Sequence, residues 1–137
     1  MPLSWNDIKT KALAFAQDFE HARDEKSQAQ TFWLKFFDVF GVDSSRVGVF
    51  ESRVKKLNKR MGYADFFWPG LLLIEHKSRG ENLEIAADQA ADYCINLKEG
   101  EHPRYLLVCD FEHFWLKDLA EGAELLMSTA TSRFLTE

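Results

Sequence analysis

The chain has 137 residues, of which 46% are hydrophobic and 14% aromatic, and it carries a formal net charge of −5. This length and apolar content predict one folded domain with a real core, and they exclude an intrinsically disordered chain. No apolar run approaches the ~20 residues of a membrane span, the start of the chain is amphipathic, and Cys94 and Cys109 are predicted to be buried free thiols. We therefore expect a cytoplasmic protein with no membrane partner.

Two amphipathic helices are predicted at the start of the chain. Ser4 is a good N-cap residue, and the first helix is expected to reach about His21. The second helix runs from about Lys26 to Phe40, where aromatic residues recur at helical spacing and Gly41 provides the stop. An aromatic stripe of this kind is typical of a hydrophobic core.

Three strands are expected to follow these helices. Val47–Leu57 fits both a helix and a strand, and we predict mostly strand. The segment GYADFFWPGLLLIEHKS, residues 62–78, predicts a strand, a turn at Pro69-Gly70, and a short buried strand that begins with the apolar run Leu71–Ile74.

The rest of the chain predicts a helix between two stretches of strand. Asn82 can cap a helix that reaches about Leu97, and strands are expected at Tyr105–Cys109 and Phe114–Leu116. The last segment, Leu119–Phe134, is predicted to be a terminal helix or the start of a connector. We therefore expect a domain over residues 1–118 and a terminal helix or connector over residues 119–137. For the fold class, periodicity alone supports only a mixed α/β domain.

Three charged residues near the central hairpin are the main candidates for chemistry. Because side chains alternate along a strand, Glu75 and Lys77 share one face and His76 points away. Pairing of the two strands would place Asp65 opposite or diagonal to the Glu75 region. Two carboxylates there, with the His76 backbone carbonyl as a further ligand, suit Mg²⁺ or Mn²⁺, and a cation would offset the cost of burying them.

Such a cation would activate a bound water, and this arrangement can cleave a phosphodiester. Lys77 would position or deprotonate that water, or stabilise the developing charge. The alternative is an exposed strand end on which Glu75 and Lys77 form an ordinary surface pair.

A basic segment leads into the Asp65 strand, although the chain as a whole is acidic. The expected DNA contacts are Arg53, Lys55, Lys56, Lys59 and Arg60, with Arg79 added after the hairpin. The alternative for this segment is a solvated hairpin rim. Glu51, the one acidic residue among these bases, is either a further catalytic carboxylate near the metal or a charge partner for its neighbours.

The hairpin resembles the PD-(D/E)xK nuclease motif, with Asp65 as its first carboxylate and Glu75-His76-Lys77 as its E-x-K. Further blocks, in the same order, resemble the N-terminal region of MmeI-like (type IIL) restriction–modification proteins: PLSW at 2–5, FESRVKKL at 50–57, QAADY at 89–93 and PRYLLVCDF at 103–111. The resemblance implies an α/β domain with the αβββαβ core of restriction endonucleases, a mixed central sheet and a preceding N-terminal helix. It also implies that Gln89 orients water or phosphate at the site and that Tyr93 supports it.

In that family, a nuclease domain precedes a helical connector, an adenine-specific DNA methyltransferase and a target-recognition domain. The resemblance therefore implies a Mg²⁺-dependent DNA endonuclease domain whose partners are double-stranded DNA, the rest of the polypeptide and a second nuclease domain (a homodimer) for duplex cleavage. SAM would bind only in the methyltransferase domain, because this chain has no glycine-rich SAM loop. Two alternatives remain: a catalytically inactive nuclease-like scaffold that contacts DNA or supports the methyltransferase, and an unrelated small α/β interaction module.

Overall fold

Six strands form one sheet with helices on both faces, in a computed structural model that describes residues 3–55, 61–95, 97 and 100–128. In chain order the elements are α1 (Trp5–Asp18), α2 (Glu25–Val39), α3 (Ser44–Val47), β1 (Val49–Lys55), β2 (Met61–Trp68), β3 (Leu72–His76), α4 (Leu83–Ile95), β4 (Tyr105–Cys109), β5 (His113–Asp118) and β6 (Glu124–Ser128). The strands lie side by side in sequence order, and only β3 and β4 are parallel. Helix α4 provides the crossover that a parallel pair requires.

This architecture confirms the expected fold class. Helix α2, strands β1 to β3, helix α4 and strand β4 reproduce the αβββαβ order, the sheet is mixed, and α1 precedes the core. Among the described residues, no helix is both long enough and apolar enough to cross a lipid bilayer.

Local signals in the sequence account for the element boundaries near the site. At α1, the Asp7 N–H donates to the Ser4 Oγ and the Ser4 N–H donates to the Asp7 carboxylate, which is a complete capping box. At α4, the Asn82 Oδ1 accepts the Ile85 N–H at 3.1 Å. The β2–β3 turn closes through the Leu71 N–H and the Trp68 carbonyl, and Gly70 takes a φ of +80° there.

The core lies on both faces of the sheet. On one face, α1 and α2 pack aromatic side chains against Phe66 and Ile74; on the other, the small residues of α4 let the helix approach Leu73 and Val108 closely. Strand β3 is therefore buried on both faces, as expected of a strand with a parallel neighbour. Any charged residue that continues this strand must be accommodated by specific partners.

The thiols also agree with the sequence prediction. Cys94 and Cys109 are free and buried. Burial raises the pKa of the Cys94 thiol to about 11 and holds that of Cys109 well above its usual range. Both thiols are therefore protonated and unreactive at neutral pH.

The predicted helix from Leu119 is wrong over the part of it that the structure describes, because Glu124–Ser128 forms β6 and pairs antiparallel with β5. The turn before β6 is held by the Asp118 carboxylate, which accepts the N–H groups of Ala120 and Glu121, and Gly122 takes a φ of +78°. Residues such as Glu, Leu and Met favour a helix locally, and pairing with β5 overrides that preference. The sheet thus continues past the predicted domain boundary at residue 118, and residues 129–137 lie outside the described part.

Candidate active site

The end of β3 separates its side chains between the two faces of the sheet. In the parallel register, Glu75 pairs with Val108 of the α4-side core, whereas His76 pairs with Cys109 of the opposite core. Glu75 is only 5% exposed. The alternation predicted from the sequence, with Glu75 and His76 on opposite faces, is therefore present.

Asp65 lies at the same level on the neighbouring strand. The register pairs Phe66 with Ile74, and one more step would set Asp65 across from Glu75. The Asp65 Oδ2 accepts the His76 backbone N–H at 2.6 Å. The Asp65 carboxylate is thus fixed beside the peptide that joins Glu75 to His76.

Glu51 belongs to the adjacent strand at the same level. Phe50 pairs with Phe66 and Ser52 pairs with Ala64, so the Glu51 backbone lies across from that of Asp65. The backbones of Glu51, Asp65 and Glu75 therefore form a row over three neighbouring strands. The side chain of Glu51 lies outside the described part of the structure.

The two described carboxylates fit a small hard cation. Mg²⁺ is bound in proteins through one or two carboxylates with several retained waters, which Asp65 and Glu75 can supply. Within the described ranges, no group of three or more His, Cys, Asp or Glu side chains is placed to hold a metal. A cation here would therefore be bound by two carboxylates, with the remaining ligands supplied by water and by a backbone carbonyl, the predicted one being that of His76.

Lys77 and Gln89 lie beside the same surface depression. This depression has a volume of about 320 Å³, and its lining residues are Lys77, Glu81, Asn82, Ile85, Ala86 and Gln89. The Lys77 backbone is held by its N–H, which donates to the Cys109 carbonyl at 2.8 Å. Gln89 is exposed on α4, and the Tyr93 side chain is outside what the structure describes.

The His76 side chain is anchored in the aromatic core. Its Nδ1 accepts the Trp33 indole N–H at 2.9 Å, and its ring packs against Phe111 at a centroid distance of 4.2 Å. Desolvation lowers the pKa of His76 to about 3, although the Asp110 charge opposes that shift. The imidazole is therefore neutral with its proton on Nε2, and only its backbone carbonyl is available as the predicted metal ligand.

Arg79 has an intramolecular role that the sequence did not reveal. Its Nε donates to the Ala22 carbonyl at 3.0 Å, its Nη2 to the Glu20 carbonyl at 3.2 Å, and its Nη1 to the Glu112 carboxylate at 2.9 Å. The side chain is only 18% exposed. This guanidinium, predicted as a DNA contact, ties the exit of β3 to the α1–α2 connection and to the β4–β5 turn.

The other predicted DNA contacts are not tested by the geometry. Arg53 and Lys55 have their backbones in β1, but their side chains lie outside the described part. Lys56, Lys59 and Arg60 fall in the undescribed range 56–60. These five residues stay predictions.

Comparison with known proteins identifies the family. The family model for the MmeI N-terminal domain matches residues 10–134. The chain belongs to this family. The resemblance found in the sequence motifs is thereby confirmed for most of the chain.

A solved structure shares the fold. A cryo-EM structure of a DrdV–DNA complex superposes with a TM-score of 0.63 and 17% sequence identity, and the match covers 97% of this chain. The chain spans 13% of the length of that chain. A search of curated proteins gives no match.

We expect stability to fall as the pH drops below about 6.5, the ordinary pKa of histidine. In the unfolded chain His76 takes up a proton there, whereas the folded, buried imidazole does so only near pH 3. His76 should therefore contribute up to about 1.4 kcal/mol of lost stability per pH unit between those two values. Urea unfolding at several pH values in metal-free buffer measures this slope.

The matched control is His76→Asn, whose side-chain oxygen can accept the Trp33 N–H in place of Nδ1 but cannot titrate. The carboxylates and the other histidines are the same in both proteins, so they contribute the same pH dependence of stability to each. The variant should show a shallower decline below pH 6.5, and identical slopes would contradict the assignment.

Arg79→Gln should lower the free energy of unfolding by about 2 kcal/mol, because a carboxylate and two carbonyls lose a charged donor. Denaturant titration measures the loss. Arg104→Gln is the matched control, since Arg104 also binds a carboxylate, that of Asp118, but its side chain is 44% exposed. The loss should be clearly smaller for Arg104, and equal losses would argue against a structural role for Arg79.

Proposed function

We propose that this chain is the nuclease domain of a restriction enzyme, a Mg²⁺-dependent DNA endonuclease domain within a longer restriction–modification polypeptide. The observation that carries the proposal is the hydrogen bond from the His76 N–H to Asp65, which sets the Asp65 carboxylate beside the backbone of Glu75 at the end of a buried strand. Membership of the MmeI N-terminal domain family supports the same conclusion.

Asp65 and Glu75 are the residues that would hold the cation, together with the His76 carbonyl. Bound there, Mg²⁺ would supply a water of lowered pKa and offset charge that develops on the phosphate. Lys77, two residues beyond Glu75, lines the depression, and its ammonium group would orient the water or bind a phosphate oxygen. Gln89, across the depression, would donate to or accept from the water or phosphate.

DNA and the rest of the polypeptide are the proposed partners. The DrdV structure is a complex with DNA, and in the proposed function a DNA strand would approach the depression beside Lys77. The domain itself is acidic, with a net charge of −5, so most of the affinity for DNA would come from other domains. Cleavage of both strands would require a second nuclease domain, and the working compartment would be the cytoplasm.

A second candidate is a catalytically inactive scaffold of the same fold, which contacts DNA or supports a methyltransferase. One observation favours it: the described residues contain no cluster of three metal-ligating side chains. The two candidates predict different results for metal binding and for the effect of a Lys77 substitution on DNA cleavage.

Mn²⁺ should bind the purified chain, and the affinity should fall by at least about tenfold in Asp65→Asn and in Glu75→Gln, because each change removes an anionic oxygen ligand. Isothermal titration calorimetry measures both affinities. Glu121→Gln is the control, since Glu121 is an exposed carboxylate in the β5–β6 turn, at the other end of the sheet. Equal binding by all four proteins would favour the scaffold.

Lys77→Ala in the parent polypeptide should reduce DNA cleavage by at least about 100-fold, because a group that acts on the attacking water is lost. Mn²⁺ binding by the corresponding chain should persist, since both carboxylates remain. Lys35→Ala, which removes an exposed lysine on α2, is the control. A wild-type nicking rate in the Lys77 variant would exclude the assigned role.

A further inference from the structure

A groove on the α1–α2 side of the sheet has no place in the proposed chemistry. It has a volume of about 250 Å³ and lies between the two helices and strands β4, β5 and β6. We call it the α1–β6 groove, and its lining residues are Ala12, Phe15, Ala16, Phe36, Val39, Phe40, Leu107, Phe114, Leu116 and Met127. Each of these side chains is apolar, so the groove offers no donor or charge to a phosphate.

The apolar surface continues outside the groove. Phe40 is 48% exposed at its rim, and Leu125 on β6 is 52% exposed. Leu125 pairs with Leu116 and Met127 pairs with Phe114, so these β6 side chains lie on the same face of the sheet as the groove lining. A continuous apolar surface of this kind marks a site where another surface packs.

The size of the groove distinguishes between classes of occupant. Pockets for small molecules and cofactors usually enclose ~300–1,000 Å³ and place a few polar groups around the ligand. The α1–β6 groove is smaller and entirely apolar. It suits one or two apolar side chains of a polypeptide segment.

We propose that the α1–β6 groove receives an apolar segment of the same parent polypeptide, C-terminal to this chain. This assignment rests on the proposed function, in which the chain is the first domain of a longer protein. The family is an N-terminal domain family, and the chain spans only 13% of the DrdV chain, which leaves ample polypeptide to supply such a segment.

The position of β6 favours this occupant over a separate molecule. Strand β6 lies at the edge of the sheet, and its Met127 lines the groove, so a segment that follows this chain would be tethered close to the apolar surface. A tethered segment binds at an effective concentration in the millimolar range for a short linker. Neither a separate partner nor a second copy of the chain has that advantage.

Thiol labelling of Ala16→Cys tests the assignment. Ala16 is half-buried and lines the groove, and both native cysteines are buried, so the new thiol is the reactive one. A maleimide should label it rapidly in the 137-residue chain and at least about tenfold more slowly in the parent polypeptide, because a packed segment must first open. Ala14→Cys is the matched control, an exposed alanine of the same helix that does not line the groove. Its rate should be the same in both proteins.

Three outcomes would overturn the proposal. Equal labelling of Ala16→Cys in both proteins means that no downstream segment covers the groove. Slow labelling in the 137-residue chain at every concentration means that the groove is already filled. Labelling that slows as the concentration of the chain increases means that a second copy occupies it.

Two further measurements keep the test independent of folding defects and of the nuclease assignment. If Ala16→Cys fails to fold, Phe40→Cys gives the same reading from the exposed rim of the groove. Loss of Mn²⁺ binding or of cleavage would remove the nuclease proposal without changing the labelling rates. Protection of the groove can likewise fail while cleavage continues.

Discussion

The hydrogen bond from the His76 N–H to the Asp65 carboxylate is the interaction on which the candidate site depends. It lies one step beyond the last regular pair of β2 and β3, Phe66 with Ile74, where the two strands would otherwise be free to separate. A hydrogen bond to a charged acceptor contributes about 1.5–3 kcal/mol, enough to fix the Asp65 carboxylate beside the backbone of Glu75. The same residue is anchored on the opposite face by Trp33. One residue of β3 thus holds the site from both sides of the sheet.

Packing distant from the charged groups determines what the site can accommodate. The alanines of α4 bring that helix close to the sheet beside Glu75, and the depression lined by Lys77 and Gln89 is left open past the end of the strand. Beyond Lys77, the guanidinium of Arg79 fixes the chain to the α1–α2 connection. The segment that carries Glu75 and Lys77 is therefore restrained by the Asp65 carboxylate at His76 and by the Arg79 guanidinium beyond Lys77.

The sequence could predict what local chemistry decides. The Ser4 and Asn82 caps, the Pro69-Gly70 turn and the alternation along β3 are local signals, and the expected elements and the pairing of Asp65 with Glu75 follow from them. Interactions between distant residues left no such signal: Trp33 lies 43 positions from His76, and Ala22 lies 57 from Arg79. Strand β6 was missed because its residues favour a helix locally, and only an available sheet edge makes them a strand.

The two faces of the sheet divide the proposed work. In the proposed function, the cation and the phosphate would lie on the α4 side, at the carboxyl end of β3, whereas the α1–β6 groove opens on the α1–α2 side. An acidic domain gains little from its own charge when it approaches DNA, so its orientation would have to come from the longer polypeptide proposed above. A flexible tether would supply local concentration but no orientation. A segment docked in the apolar groove supplies both, and because the groove opens on the α1–α2 side, such docking leaves the depression beside Lys77 open to DNA.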